Sequence, residues 1–465
     1  MSDIAIIGGG AAGASLFGAL LSRKTSESVH WITGRSPSKG LGVAYSTPHN
    51  HHLLNVRAAG MGLYLDADED FVGYSARCRP GSKPTDFLPR QLFGQYIDSQ
   101  LAKRIHRAKH DDRRFAIRPS IASSIKPSGD GYEIALDDGE KVTAERVVLA
   151  LGALLPRPLR TISKAALASG AYVVDPWSLD ARANHPRRLI VIGTGLTAID
   201  TLISASIRWP DCELIAVSRH GLLPFVHPTL PIDPFPRQTE LNSRLLACDG
   251  PAAMLTEIRR AFREYQDTDW RSVIDGMRPI NAKLWQAFTP RHRKQFLRHA
   301  RWVWESSRHR LAPQSADIIQ QLRDEGRLQV HAARVLDVDG KGPLSVTVRS
   351  RAHQIVTKLE SDIVVQATGL DTAVAFAEHS LLSGLLQEGH AVADPLQLGV
   401  LAAPDGRLIN ATGEIQCGLY AIGSLLRGNL WECTAMPEIR GAADALATQL
   451  TLPRTEPSGK RPLLV

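Results

Sequence analysis

The chain has 465 residues, 43% of them apolar, with 55 Lys+Arg against 47 Asp+Glu. That length allows two or three domains, the composition excludes disorder, collagen and coiled coil as global descriptions, and the formal charge of +8 suggests anionic ligands as much as nucleic acid. The five cysteines (Cys78, Cys212, Cys248, Cys417, Cys433) form no C-x-x-C pair, which excludes a disulfide framework, a zinc ribbon and a local dithiol centre and fits a reducing cytoplasm.

The uncharged stretch 4–21 has the look of a signal peptide or a membrane span. Asp3 precedes it, no Lys or Arg does, and a Gly triplet interrupts it, so it reads as buried strand, turn and helix. The strand is Asp3–Ile7, the turn Gly8-Gly-Gly10-Ala11-Ala12-Gly13, and the helix runs to about Ser22 before a second strand, Val29–Ile32. This is a G-x-G-x-x-G fingerprint in its required βαβ context. Gly8 permits the tight turn, Gly10 lets a pyrophosphate approach the backbone, and Gly13 lets helix and strand pack closely. The helix N-terminus supplies free N–H groups to the phosphates. After Ile32 come Thr33, Gly34 and Arg35, with no acid to hold a ribose. That contact is left to Thr33, Arg35 or backbone groups.

His49-Asn-His-His52 resembles a metal cluster. Adjacent histidines point different ways and no acid or Cys follows at ligand spacing, so no metal is expected. Short strands from Phe115 to Arg146, with the turn Asp137-Asp-Gly139, lead to the strand Val147–Gly152. A second fingerprint follows: strand Arg188–Ile192, turn Gly193-Thr-Gly195-Leu-Thr197-Ala198, helix to Arg208, strand Glu213–Val217, then Ser218-Arg219-His220. An acid just past that strand would select NAD. A guanidinium and an imidazole favour the 2′-phosphate of NADP, unless Arg219 is merely a solvated loop residue. Prolines at 224, 228, 231, 234 and 236 open an insertion, about 222–313, with helical segments from Ser243 to about Gln266 and Thr289 to about Arg308, lying over the cleft. Short strands from Val335 to Asp362 and the strand Ile363–Gly369 repeat the earlier pattern, an internal duplication at the domain level. The last strand, Leu419–Gly423, has no fingerprint and is expected to return to the first domain. A helix, Ala435–Leu450, and a loosely held tail, Pro453–Val465, follow it.

The expected fold class is therefore α/β: two Rossmann-like, three-layer dinucleotide-binding domains with small β-meanders and a mainly helical insertion. The expected boundaries are 1–158 for the first part of the first domain, 159–362 for the second domain with its insertion, and 363–465 for the return segment. Within the insertion, Arg291–Arg310 holds six Arg, Lys294 and three His against one acid, Glu305, with Trp302 and Trp304 interleaved. Arg301, Trp304 and Arg308 share a helical face. They read either as a solvated basic face or as the lining of an anionic pocket for NADPH phosphates or an acidic substrate, and Arg310 follows them. No RNA or DNA module accompanies them, so nucleic acid is not an expected partner.

The paired fingerprints, the Ala-Thr-Gly ending of the strand at 367–369 and the returning strand resemble two-dinucleotide-domain flavoproteins. The narrower likeness is to the FAD/NAD(P)-binding family that includes an FAD-dependent urate hydroxylase, and more distantly to flavin N-monooxygenases. It rests on Gly40–Tyr45, Leu53–Val56 with Met61, Pro89-Arg90 with Gly94 and Tyr96, Arg308–Arg310, and Gly428–Glu432 through Pro437–Arg440. The resemblance implies FAD in the first domain, NADPH (NADH less so) in the second, and a substrate pocket that the insertion helps to form. It implies cofactor contacts from Gly42, Asn55, Met61, Arg90, Gly152, Gly369, Gly423, Leu430 and Trp431. Asn55 and Arg57 would stand near the flavin ring as catalytic candidates, although a structural salt bridge suits Arg57 equally. Ser424 stands where disulfide-reductase relatives carry Asp, and the Baeyer–Villiger signature is absent. The function so implied is an FAD-dependent, NADPH-consuming monooxygenase that uses O2 to hydroxylate a small polar, acidic or nitrogen-containing substrate, with Arg301, Trp304, Arg308 and Arg310 on the substrate. A reductase or dehydrogenase without productive O2 use, and a non-catalytic nucleotide-binding protein, are the alternatives. Neither a membrane nor a metal is expected to take part.

Overall fold

The computed structural model describes residues 3–35, 40–67, 70–181 and 185–452. The expected loose tail, Pro453–Val465, lies outside them.

Two sheets, each parallel at its centre with antiparallel strands at one edge, carry the two fingerprints. The first joins β1 (Asp3–Ile7), β2 (Ser28–Ile32), β3 (Phe115–Arg118), β7 (Arg146–Leu149), β15 (Arg407–Ile409) and β16 (Ile415–Ala421) in the order β15-β16-β7-β1-β2-β3. Between β3 and β7 the strands β4 (Ala122–Ser128), β5 (Gly131–Leu136) and β6 (Lys141–Ala144) form a separate antiparallel meander. The second sheet joins β8 (Tyr172–Val173), β9 (Arg188–Ile192), β10 (Glu213–Ser218), β11 (Leu328–Asp339), β12 (Leu344–Ser350), β13 (Val356–Ser361) and β14 (Ile363–Gln366) in the order β13-β12-β11-β10-β9-β14-β8.

The apolar runs that mark the strands are buried on both faces, as central parallel strands covered from both sides must be. Ile4 and Ile6 join the core under the helices Ala11–Leu21, Arg90–His110 and Met436–Leu450. Ala5 and Ile7, one residue out of phase, join the core under the meander and the helix Ser380–Gln387. The second domain repeats the division, with Leu189 and Val191 on one side and Ile190 and Ile192 on the other.

Four sequence expectations shift. Phe115–Arg118 pairs in parallel with β2 and belongs to the main sheet rather than the meander. β14 pairs with β9 and β8, so the chain crosses back after residue 366 and not at 363. The helix expected over 243–266 is two helices, Gln238–Leu246 and Pro251–Glu264, because Gly250 turns at φ 87° and Pro251 starts afresh. The helix expected over 289–308 divides at Ala300 into Pro290–His299 and Arg301–Arg308. In the return segment β16 pairs in parallel with β7, and the Met436–Leu450 helix packs on the Ala11–Leu21 helix.

Several ties hold the two domains together, three of them near the crossovers and the His49–His52 segment. Arg90 pairs with Asp200 at 2.6 Å, with side chains only 14% and 10% exposed. His51 and His52 both hydrogen-bond Ser204 Oγ through Nε2, each at 2.8 Å. The two crossover segments are joined by a Leu154–Asp371 bridge and an Arg157–Asp371 ion pair at 2.5 Å. Among the described residues no helix is long and apolar enough to cross a membrane.

Candidate functional site

The two glycine turns are the same device built twice. Gly8 has φ 130° and Gly193 φ 132°. A side chain at either would collide with a carbonyl two residues before the next domain-closing glycine: Ala150 before Gly152, Ala367 before Gly369. Gly13 packs against the Gly8 carbonyl, and Ala198, its counterpart, is fully buried. The middle glycines behave differently. A Cβ on Gly10 would meet nothing nearer than Gly42 Cα at 4.0 Å, and one on Gly195 nothing within 4 Å. Each caps its helix with extended backbone, without a side-chain cap and without an acid in the first turn. Both helix N-termini therefore present unneutralised N–H groups to open space, which is what a pyrophosphate requires. The residues fit two dinucleotides, one at each turn.

Around the first turn, Gly40 N donates to Gly9 O at 2.8 Å and brings Gly42 over Gly10. Gly423 arrives beside Ala12, and the Ser424 hydroxyl donates to the Gly152 carbonyl. Gly10, Ala11, Ala12, Gly42, Gly152 and Gly423 are thus brought together. Other residues expected there are engaged elsewhere. The Thr33 hydroxyl donates to the carbonyls of Gly34 (3.2 Å) and Arg118 (3.4 Å). Arg35 pairs with Asp137 of the meander turn at 2.7 Å. The Met61 side chain is core, and Leu430 packs against the core on the other face. Arg90 is the interdomain ion pair and also donates to the Leu53 carbonyl. Arg57, a catalytic candidate, donates to the carbonyls of Thr85 and Pro228, each at 2.6 Å, and lies over the Phe87 ring. It is a strap between the first domain and the insertion, held by carbonyls rather than by the salt bridge that was the alternative to a catalytic role. Asn55 does line the cavity, and its carbonyl accepts from His227 at 3.0 Å. Burial and Arg310 push His227 down to about 3, so its ring is neutral.

A cavity of about 730 Å³ opens from the second turn. Gly193, Gly195 and Thr197 form one end, and Gly369 stands beside them. Arg219 is exposed at this end and has no protein partner among the described residues. His220 is not equally free: its ring stacks on Trp302 at 4.1 Å and its Nδ1 accepts from Arg351. Two further exposed arginines, Arg160 and Arg334, line the same mouth. Arg334 arrives because β11 pairs with β10 through Ala332 and then leaves to pair with β12. Sequence order gave no sign of that placement.

The far end is walled by the insertion and by residues 427–438. Trp431, at φ 61°, stacks on Trp285 with centroids 5.0 Å apart. Arg301 and Arg308 line this end, but both are paired: Arg301 with Glu305 at 3.0 Å, Arg308 with Glu432 at 3.2 Å. Trp304 donates to Glu432 at 2.9 Å. Arg310 does not reach the cavity. It is 1% exposed and paired with Asp275, with two guanidinium nitrogens unpartnered, so the expectation that it binds substrate is corrected. Arg427, Glu432 and Glu438 supply charges that a search confined to the insertion misses. Cys433 also lines this end. Burial pushes its thiol up to about 12, and all five cysteines are free. No group of His, Cys, Asp and Glu among the described residues could hold a metal ion, His49–His52 included.

Residues 5–154 match the family model described as FAD-NAD(P)-binding. That span holds the first glycine turn, β1 to β7 and the meander. The whole fold is shared with solved enzyme structures. The ornithine N-hydroxylase of Kutzneria sp. 744 is 18% identical, with a TM-score of 0.65 over 97% of this chain and 99% of that one. The L-lysine 6-monooxygenase of Pseudomonas syringae is 17% identical, at 0.62 over 97% and 99%. The cadaverine monooxygenase of Erwinia amylovora, solved with FAD, is 12% identical, at 0.63 over 100% and 99%. At such identities the likeness is one of fold. The sequence matches no curated protein.

Proposed function

We propose that the protein is an FAD-dependent, NADPH-consuming monooxygenase that hydroxylates a small polar substrate. The observation that carries this reading is the continuity of one cavity. It runs from the uncapped helix at Gly195, past Arg219, to the Trp431–Glu438 wall; Asn55 and Val56 of the first domain line it too, and the chain reaches that wall through Gly423–Leu426 and Arg427–Leu430, starting from Gly423 beside the first glycine turn. In this reading the FAD site opens toward the same chamber as the NADPH site, as electron transfer from one nucleotide to the other requires.

In this reading Gly8, Gly10, Gly13, Gly42 and Gly423 cradle FAD, while Gly193, Gly195, Thr197 and Arg219 hold NADPH, with Arg160 and Arg334 beside its 2′-phosphate. Held there, FAD would supply the electron-transfer and O2 chemistry, while the protein positions the partners and excludes water. The aromatic group of Trp285, Phe288, Phe296 and Trp431 walls the far end against solvent. A nitrogen-containing substrate is supported by the fold shared with ornithine, lysine and cadaverine enzymes, and an acidic one by the arginines of the cavity. The free thiols suit a reducing cytoplasm. The second reading, a flavoprotein reductase, gains nothing from Cys433, whose raised pKa and lack of a partner cysteine fit no dithiol cycle.

The test is oxygen uptake by the FAD-loaded protein with NADPH and a panel of small acids and amines. Substrate-stimulated uptake with hydroxylated product and little H2O2 is expected. Undiminished anaerobic turnover with another acceptor would leave only the reductase.

A further inference from the structure

The far end of the cavity carries an unbalanced charge. Four guanidiniums, Arg278, Arg301, Arg308 and Arg427, face three carboxylates, Glu305, Glu432 and Glu438. Arg278 holds both oxygens of Glu438, at 2.5 and 2.7 Å. Arg308 meets Glu432, whose oxygens also accept from Trp304 and from Asn281. These two arginines and two acids balance. Arg301 and Arg427 do not: their nitrogens converge on the same Glu305 oxygen, Oε1, at 3.0 and 2.8 Å. Two positive charges share one negative charge, and both guanidiniums lie over the Trp431 ring, at 5.8 and 4.6 Å from its centroid. Burial lowers the Arg427 pKa, and the neighbouring Arg301 lowers it further. The Arg427 side chain is 13% exposed, so solvent screens this repulsion poorly.

We infer that Arg301 and Arg427 anchor the carboxylate of a small organic acid, and that the substrate carries this group. The inference rests on the monooxygenase reading for the word substrate, but not for the binding itself. One surplus charge matches a monoanion, whereas the dianionic phosphate of a nucleotide meets three exposed arginines, Arg160, Arg219 and Arg334, at the other end of the cavity. A planar guanidinium presents two parallel N–H groups to a carboxylate and so fixes its orientation. A substrate that is only an amine finds no free acid here, because all three carboxylates are already paired with arginine.

Calorimetry on the FAD-loaded protein, without NADPH, tests this with pentanoate and benzoate against pentanamide and benzamide, and with inorganic phosphate. The carboxylates are expected to bind about tenfold or more tightly than their amides. Arg427→Gln and the more exposed Arg301→Gln should each remove that preference and leave amide binding unchanged. Glu305→Gln gives the opposite sign: it frees both guanidiniums and should tighten carboxylate binding several-fold, which loss of a merely structural residue would not do. Equal binding of acid and amide, weaker carboxylate binding in Glu305→Gln, or an Arg427→Gln defect confined to NADP+ would overturn the inference. Failure of the oxygenase reading appears separately, in oxygen uptake, and leaves the calorimetry unaffected.

Discussion

The unpaired arginine at the mouth of the cavity gives the most quantitative handle on nucleotide choice. Replacing Arg219 by Ala removes a guanidinium that is exposed and makes no contact on which the fold depends. At 4 Å, a unit charge pair is worth about 1 kcal/mol in water and about 4 kcal/mol at a protein-surface dielectric near 20. A phosphate hydrogen-bonded at a half-open mouth falls between these, at about 1.5–3 kcal/mol. That corresponds to roughly 10- to 150-fold in affinity at about 1.4 kcal/mol per decade. The low half of this range is expected, because Arg160 and Arg334 line the same mouth and retain part of the field. Arg219→Ala should therefore raise the apparent KM for NADPH about 10- to 30-fold and leave that for NADH within about twofold, because NADH lacks the 2′-phosphate. Arg219→Ala with Arg334→Ala should cost more than either alone, and the salt dependence of NADPH binding should flatten. Steady-state NADPH and NADH oxidation, with NADP+ titrated into the protein as a binding check, measures each quantity. An equal loss with both nucleotides would refute the assignment and make Arg219 a structural residue.

Three other outcomes follow from the geometry. Gly10→Val should fold and lose its flavin absorbance, since a side chain there enters open space over the helix end, whereas Gly13→Val should fail to fold, since it collides with the Gly8 carbonyl. Arg90→Met leaves Asp200 buried without its cation and should destabilise by about 3 kcal/mol, the low end for a broken buried pair, read as a lower midpoint of the first thermal transition; Asp200→Asn should cost less. His52 and His227 are both held down at about 3, His52 first by burial and then by Arg90, so the native state stays unprotonated where the unfolded chain takes up protons. Stability should be fully present above about pH 6.5 and should fall as pH drops from 6.5 towards 4.5, by up to about 1.4 kcal/mol per pH unit for each histidine; urea midpoints that stay flat across that window would contradict it.

The glycine turns were legible because their outer positions have a steric reason that leaves few residues to choose from: the carbonyls of Ala150 and Ala367 exclude a side chain at Gly8 and Gly193, and the Gly8 carbonyl excludes one at Gly13. The buried strands were legible because their apolar runs admit no other placement. The helical insertion was read as a block but not in detail: Gly250-Pro251 separates the first pair of helices and Ala300 the second, the latter with no Gly or Pro to mark it. Charged side chains were the least legible. Arg57, Arg90 and Arg310 look in sequence like ligand-binding arginines, yet they are taken up by carbonyls of Thr85 and Pro228, by Asp200, and by Asp275. Their partners lie between 28 and 171 residues away, and nothing local announces them. Arg334 and Arg427 were missed for the converse reason: the switch of β11 from β10 to β12 brings Arg334 to the cavity from a segment with no motif, and the return of the chain after Gly423 brings Arg427, which stands just before the Gly428–Glu432 stretch.

The parallel pairing of β16 with β7 sets an order of events during synthesis. The second sheet has all its strands once residue 366 has been made, while the first still lacks β16 and the helix that covers Ala11–Leu21. A ribosome therefore releases the later-encoded domain able to close first, and the N-terminal domain must wait with an open sheet edge and an uncovered apolar helix. The domain that begins the chain is the last to be finished.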